Sequence, residues 1–167
     1  MNENRNEREV LWDLIKETRV CMLSHRHADG SLHSHPLTTV NKELGADGRL
    51  YFFVSRNTEL GQRLQQDGNV NLAYANPDKD TWVSVTGIAR VVDDMAKRRE
   101  LFSPMVKACF PGGPEDPEAE LVAVEVDEAE YWNVKSNKLM QLLKMGKAAL
   151  TGDRPKNMGE HAQVHLS

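Results

Sequence analysis

His25, His27, His33 and His35 bracket the turn Ala28-Asp29-Gly30. Imidazoles carry protons near neutral pH and ligate zinc and other transition metals, so the register of this turn decides what the rings can do together. A three-residue loop pairs His25 with His33 and puts all four rings on one sheet face, where a metal site becomes feasible. A two-residue loop moves the pairing by one residue and sends the pairs to opposite faces. The plainer reading is a polar rim, and the sequence assigns no metal ligand. Cys21 lies in an apolar strand and Cys109 ends a helical stripe. Neither stands beside a histidine arranged to activate it, so both read as buried packing residues. The pair Glu115-Asp116 reads as an exposed loop with a carboxylate capping the next element. No GxGxxG, P-loop, GxSxG or HExxH run occurs, which removes the commonest nucleotide-binding and hydrolase readings.

The elements that must position these residues are legible from their periods. Val10, Leu11, Leu14 and Ile15 recur at helical spacing over Glu7 to Glu17. From Arg19 the period becomes two, with Val20, Met22 and Ser24 on one face and Cys21, Leu23 and His25 on the other. A second strand runs from Leu32 to about Val40, and the apolar run Leu50 to Val54 suits a strand covered on both faces. Asn57 or Thr58 caps a short helix with Leu60 and Leu64 inward, ending near Gly68. Val70, Leu72 and Tyr74 alternate, and Trp82 to Val92 forms a long strand with a bulge expected at Gly87. Asp93 and Asp94 precede one helix whose buried stripe is Met95, Leu101, Phe102, Met105, Val106 and Cys109. Val122, Val124 and Val126 alternate in the next strand, and a final strand carries Tyr131 and Trp132. A helix is expected over 137–149, then a polar tail from Thr151, loose or draped on a partner. Six or seven strands without strand–helix–strand alternation make the class mainly β (α+β), an antiparallel split barrel with peripheral helices.

Composition narrows the partners. The chain has 167 residues, suited to one domain over 1–150 plus the tail 151–167, with net charge −4 and pI near 5.9. No basic cluster is present, so nucleic acid is not expected, and no apolar run approaches the roughly 20 residues of a membrane span. The polar N-terminus MNENRNEREV lacks the apolar core of a signal peptide, and the cysteines have no CxxC spacing. The expectation is a cytoplasmic protein without disulfides.

The segment Phe110 to Asn133, FPGGPEDPEAELVAVEVDEAEYWN, joins a Pro-Gly-Gly-Pro turn, an acidic Glu-Asp-Pro, an alternating strand and an Ala-Glu-Tyr-Trp end. Together these resemble a signature of the general stress protein 26 group. That group belongs to the pyridoxamine 5'-phosphate oxidase-like family of split barrels that bind flavin mononucleotide (FMN). Asp29 to Ser34 resembles the family's first hairpin, Tyr51 to Val54 its aromatic strand, and Val83 to Gly87 the strand beside the flavin edge. Thr151-Gly152 and Gly159-Glu160-His161 resemble its tail. The resemblance implies a homodimer with FMN between subunits. It carries over His35, Pro36, Leu37, Thr38, Ser55, Thr58, Trp82 and Trp132 as cofactor contacts, with the tryptophans either flanking the flavin ring or packing at a dimer seam.

The chain departs from the family pattern at the phosphate end. The usual Arg-Pro-Met reads His35-Pro36-Leu37, and Ser-x-Lys reads Thr58-Glu59-Leu60. Losing two hydrogen bonds to a charged group costs about 3–6 kcal/mol, roughly 10²- to 10⁴-fold in Kd, with Arg56 and Arg63 near enough to compensate. The expected function is a general stress protein and flavin-dependent oxidoreductase with a weakened phosphate clamp. Pyridoxamine phosphate oxidation itself is not expected, because the tail has no Arg-rich motif for a substrate phosphate. The rival is a flavin-free, non-enzymatic paralogue acting through another ligand or protein contacts. A third reading is a metal- or haem-binding barrel built on the histidine hairpin.

Overall fold

Asn6 caps the first helix, α1 (Glu7–Thr18), its side chain accepting from the Arg8 backbone N–H at 3.1 Å. Arg19 ends it in the left-handed region at φ 63°, and the buried stripe Val10, Leu11, Leu14 and Ile15 turns toward the sheet. The computed structural model describes residues 6–133, 145, 149–152 and 160–166. After α1 follow β1 (Val20–Arg26), β2 (Leu32–Thr38), β3 (Arg49–Ser55), α2 (Glu59–Gln66), β4 (Asn69–Asn76) and β5 (Thr81–Val91). Then come α3 (Met95–Leu101), α4 (Pro104–Cys109), β6 (Ala119–Asn133) and β7 (Glu160–His165).

All pairings are antiparallel, in the order β2-β1-β4-β5-β6-β3 with β7 also on β6. β6 is long enough to serve three neighbours: β5 along its length, β3 through 119–125 and β7 through 128–133. The sheet curls until the chain just past β2 meets β3. There the Val40 N–H donates to the Tyr51 carbonyl at 3.0 Å, and the Asn41 amide brackets Arg49 and Tyr51 at 2.8 and 2.7 Å. No ladder joins β2 itself to β3. The barrel is therefore mainly β and split along that edge, as the strand pattern implied.

The curl needs the bulge at Gly87. Register slips between Thr86 and Gly87, leaving Asp127 as the extra residue on β6. A Cβ on Gly87 would lie 2.2 Å from the Glu125 carbonyl oxygen, so only glycine permits the approach. Leu23, Leu50, Phe52, Leu72, Val85, Val124 and Tyr131 fill the barrel, closed at one side by Leu11 and Ile15. Tyr51, Leu121 and Ala123 face outward under Leu101, which is why the Leu50–Val54 run is apolar on both faces.

Four expectations change. The single helix after Asp94 is two helices, because Pro104 at the first turn of α4 breaks the hydrogen-bond ladder behind Phe102. The re-aimed turn buries Leu101 and Val106 but leaves Met95, Met105 and Cys109 exposed, so Cys109 is not a packing residue. The two strands expected after the Pro/Gly loop are one continuous β6. Beyond Thr151, residues 160–165 add a seventh strand that the polar composition of that segment does not announce. Of the helix expected over 137–149, all but residues 145 and 149 lies outside the described residues.

Candidate functional site at the split edge

The turn between β1 and β2 takes the three-residue form. The His27 N–H donates to the Ser31 carbonyl at 2.8 Å, Gly30 sits at φ 89°, and His25 pairs with His33 and Leu23 with His35. All four imidazoles thus share the inner face at one mouth of the barrel, in ring contact. His25 stacks on His35 with centroids 5.2 Å apart, His27 stacks on His33 at 4.6 Å, and His25 lies 6.2 Å from His33. His25 is only 2% exposed. Neither of its ring nitrogens has a hydrogen-bond partner among the described residues, and the same holds for His27 Nδ1 and His35 Nε2. Burial, then the neighbouring His35, push the His25 pKa below its usual value and favour the neutral ring.

Glu59, the first residue of α2, faces these rings. Thr58 caps the helix, its Oγ1 accepting from the Gly61 N–H at 3.2 Å and donating to the Ser55 carbonyl at 2.7 Å. A Cβ on Gly61 would stand 2.3 Å from that Ser55 carbonyl, so the β3–α2 corner is locked by glycine. The corner places a Glu59 carboxylate oxygen 2.6 Å from His27 Nε2 and 3.9 Å from His33 Nδ1. Leu60 points the other way, 4% exposed in the core, so Glu59 rather than Leu60 faces the histidines. Arg56 and Arg63 have other partners. Arg56 Nε donates to the buried Glu120 carboxylate at 3.0 Å, which also accepts from Gln65. Arg63 donates to the Arg26 carbonyl and the Gln66 side chain.

The expected cofactor contacts separate into three groups. His35 and Leu37 point inward, opposite Leu23 and Cys21, whereas Pro36 and Thr38 share the outer face with Met22 and Val20. Trp82 and Trp132 are cross-strand neighbours on that outer face, and Trp132 stacks on His161 at 5.1 Å. Ser55 and Thr58 form the β3–α2 corner. Ala119, the partner of Ser55, and Trp132 occupy opposite ends of β6, so one chain does not bring the corner and the tryptophans together. Thr38 also borders a groove of about 600 Å³ with Arg19, Val40, Phe102 and Met105. Sequence reasoning missed Glu59 as a partner of His27 and Ser31 as a partner of His33. The cap residue Thr58 immediately before Glu59 was the available signal for the first.

The family described as pyridoxamine 5'-phosphate oxidase like matches residues 6–156. A general stress FMN/FAD binding protein of Xanthomonas citri is 30% identical with TM-score 0.67, over 78% of this chain and 90% of that one. A general stress protein 26 of Jannaschia sp. CCS1 shares the fold at TM-score 0.73 and 22% identity, over 94% and 96% of the two chains. The protein bli-3 of Neurospora crassa is 30% identical over 106 residues, 58% of this chain. The chain spans about half (51%) of that curated relative. The chain belongs to the pyridoxamine 5'-phosphate oxidase-like family.

Proposed function

We propose that this chain is a cytoplasmic, homodimeric stress protein that holds FMN at the seam between two copies and serves a flavin-dependent redox reaction. The observation that carries the reading is the split edge itself. Among the described residues, His35 to Thr38 lie on a strand without a ladder partner on its far side, next to the Ser55–Thr58 corner, inside a family fold whose Xanthomonas citri relative is described as FMN/FAD binding. The residues fit the group in a specific way. His35 Nε2 is a buried nitrogen lacking a partner, which a phosphate oxygen would satisfy. Trp82 and Trp132 offer exposed faces for the ring or for a second subunit.

The dimer is supported by the outer face, where Val20, Met22, Trp82 and Trp132 are all exposed. A second copy laid there would cover them and bring the partner's tryptophans toward the corner that one chain leaves open. The free state of Cys21 and Cys109 agrees with a reducing compartment. A bound flavin would supply electron transfer, while the chain orients the ring and excludes water. With Arg56 committed to Glu120 and Arg63 to Arg26 and Gln66, the phosphate rests on His35 and the corner, a weaker clamp than Arg with Lys. That commitment also favours a second reading, a flavin-free paralogue acting through another ligand or protein contacts.

Visible absorbance of freshly purified protein, followed by FMN titration with flavin fluorescence, separates the two. Flavin bands, or saturable quenching at micromolar FMN, support the first. A colourless protein without quenching overturns it and leaves the flavin-free scaffold.

A further inference from the structure

We propose that His27, His33 and Glu59 form a binding site for one divalent transition-metal ion, zinc by ligand chemistry, at the mouth of the barrel. The three ligand atoms already converge, all within 4.8 Å of one another. A tetrahedral Zn²⁺ with bonds of ~2.0–2.1 Å sets its ligand atoms about 3.3 Å apart. The observed separations of 2.6 Å (His27 Nε2 to Glu59) and 3.9 Å (His33 Nδ1 to Glu59) bracket that spacing. The Glu59 side chain is half exposed, so its carboxylate has room to turn between the two rings.

The hydrogen bonds behind the rings point the same way. The Ser31 hydroxyl donates to Asp29 Oδ1 at 2.5 Å, so toward His33 Nε2, 3.1 Å away, it acts as acceptor. His33 Nε2 therefore donates to Ser31, and Nδ1 is the ring nitrogen turned toward the Glu59 carboxylate, 3.9 Å away. Asp29 also stands behind the other ring, its Oδ1 3.6 Å from His27 Nδ1. That separation is beyond hydrogen-bond reach and leaves His27 Nδ1 without a partner, so the carboxylate backs His33 through Ser31 in the carboxylate–histidine arrangement that orients metal ligands, and stands near His27 without bonding it.

A second observation is independent of these contacts. His25, 2% exposed, has two unpartnered ring nitrogens, and its ring lies 6.2 Å from that of His33. A buried imidazole without partners, set behind an open pair, is a reserve ligand rather than a packing residue. Three protein ligands leave one coordination position open for water or an anion, the arrangement of a reactive or ligand-exchanging zinc rather than a closed structural one. The site does not depend on the flavin reading. It would nonetheless restore positive charge at the corner where His35 and Leu60 replace the family's Arg and Lys.

The test uses full-length, tag-free protein stripped with chelator. Equilibrium dialysis against Zn²⁺, with metal analysis, counts ions per chain, and Co²⁺ substitution reports geometry through its visible d–d bands. The expected result is one ion per chain with tetrahedral Co²⁺ bands, unaffected by FMN status. Glu59→Gln and His33→Ala are expected to weaken binding by about 100-fold or more, and Asp29→Asn by roughly 10- to 100-fold. Circular dichroism confirms that each variant is folded. If His33→Ala is not folded, Glu59→Gln, at an exposed helix start, carries the test alone. Stoichiometry below one ion at millimolar Zn²⁺, octahedral Co²⁺ spectra, or unchanged affinity in folded Glu59→Gln would each overturn the site.

Discussion

His35→Arg asks whether the phosphate end is what this chain would hold poorly. In the native protein the His35 ring is half-buried, stacked on His25 at 5.2 Å, with no partner at Nε2. An arginine there presents a planar fork matched to phosphate, and one added hydrogen bond to a charged group contributes about 1.5–3 kcal/mol. That corresponds to roughly 10- to 10²-fold tighter FMN binding. The substitution also removes the ring stack, at a cost of about 0.5–1.5 kcal/mol in stability, or roughly 1–6 °C in Tm at this chain length. Leu60→Lys is not a useful companion change, because Leu60 is 4% exposed in the core and an ammonium there would be buried without a partner. The assay runs FMN and riboflavin in parallel by fluorescence quenching, since riboflavin lacks the phosphate. FMN binding should tighten by one to two decades while riboflavin binding stays within about twofold. Equal gains for both flavins, or none for FMN, would refute the placement of the phosphate beside His35.

Other outcomes follow from single contacts. Arg56→Ala leaves the buried Glu120 with only Gln65; because Arg56 is half exposed, the loss should be about 1–2 kcal/mol, read in urea denaturation. Gly87→Ala drives a Cβ to 2.2 Å from the Glu125 carbonyl and should lower stability by at least about 2 kcal/mol, read as a Tm fall of roughly 4–8 °C. Iodoacetamide at pH 8, followed by peptide mass analysis, should label exposed Cys109 and spare Cys21, whose thiol burial pushes up to about 12; rapid labelling of native Cys21 would contradict its place in the core. Met22→Glu puts a charge in the middle of the exposed outer face, and sedimentation should shift toward monomer with the fold retained.

Much of the fold can be read along the chain because its elements are short and strongly periodic. The alternation of Cys21, Leu23 and His25 against Val20, Met22 and Ser24 assigns each side chain to a face, and a one-residue slip would expose the whole core set. The doubly apolar run Leu50–Val54 announced a strand covered on both sides, and Gly87 announced the bulge. Local chemistry misleads where a distant constraint decides. The apolar stripe from Met95 to Cys109 reads as one helix, but Pro104 breaks it and leaves Cys109 in water. The polar segment after Thr151 gives no strand signal, and 160–165 pair only because β6 extends past β3 and has an edge to offer.

The sequence by itself determined the class, the strands from β1 to β5 and the family, since periodicity, turn residues and the Phe110–Asn133 segment are local properties that need no partner. The tertiary structure alone decided which residues meet. Only the curl of the sheet sets Glu59, 32 positions beyond His27 in the chain, against the histidine pair, and only the pairing register puts the four rings on one face. Those contacts depend on loop geometry and on which side of α2 the core claims. Leu60 took the buried side, and Glu59 was thereby turned toward the barrel mouth.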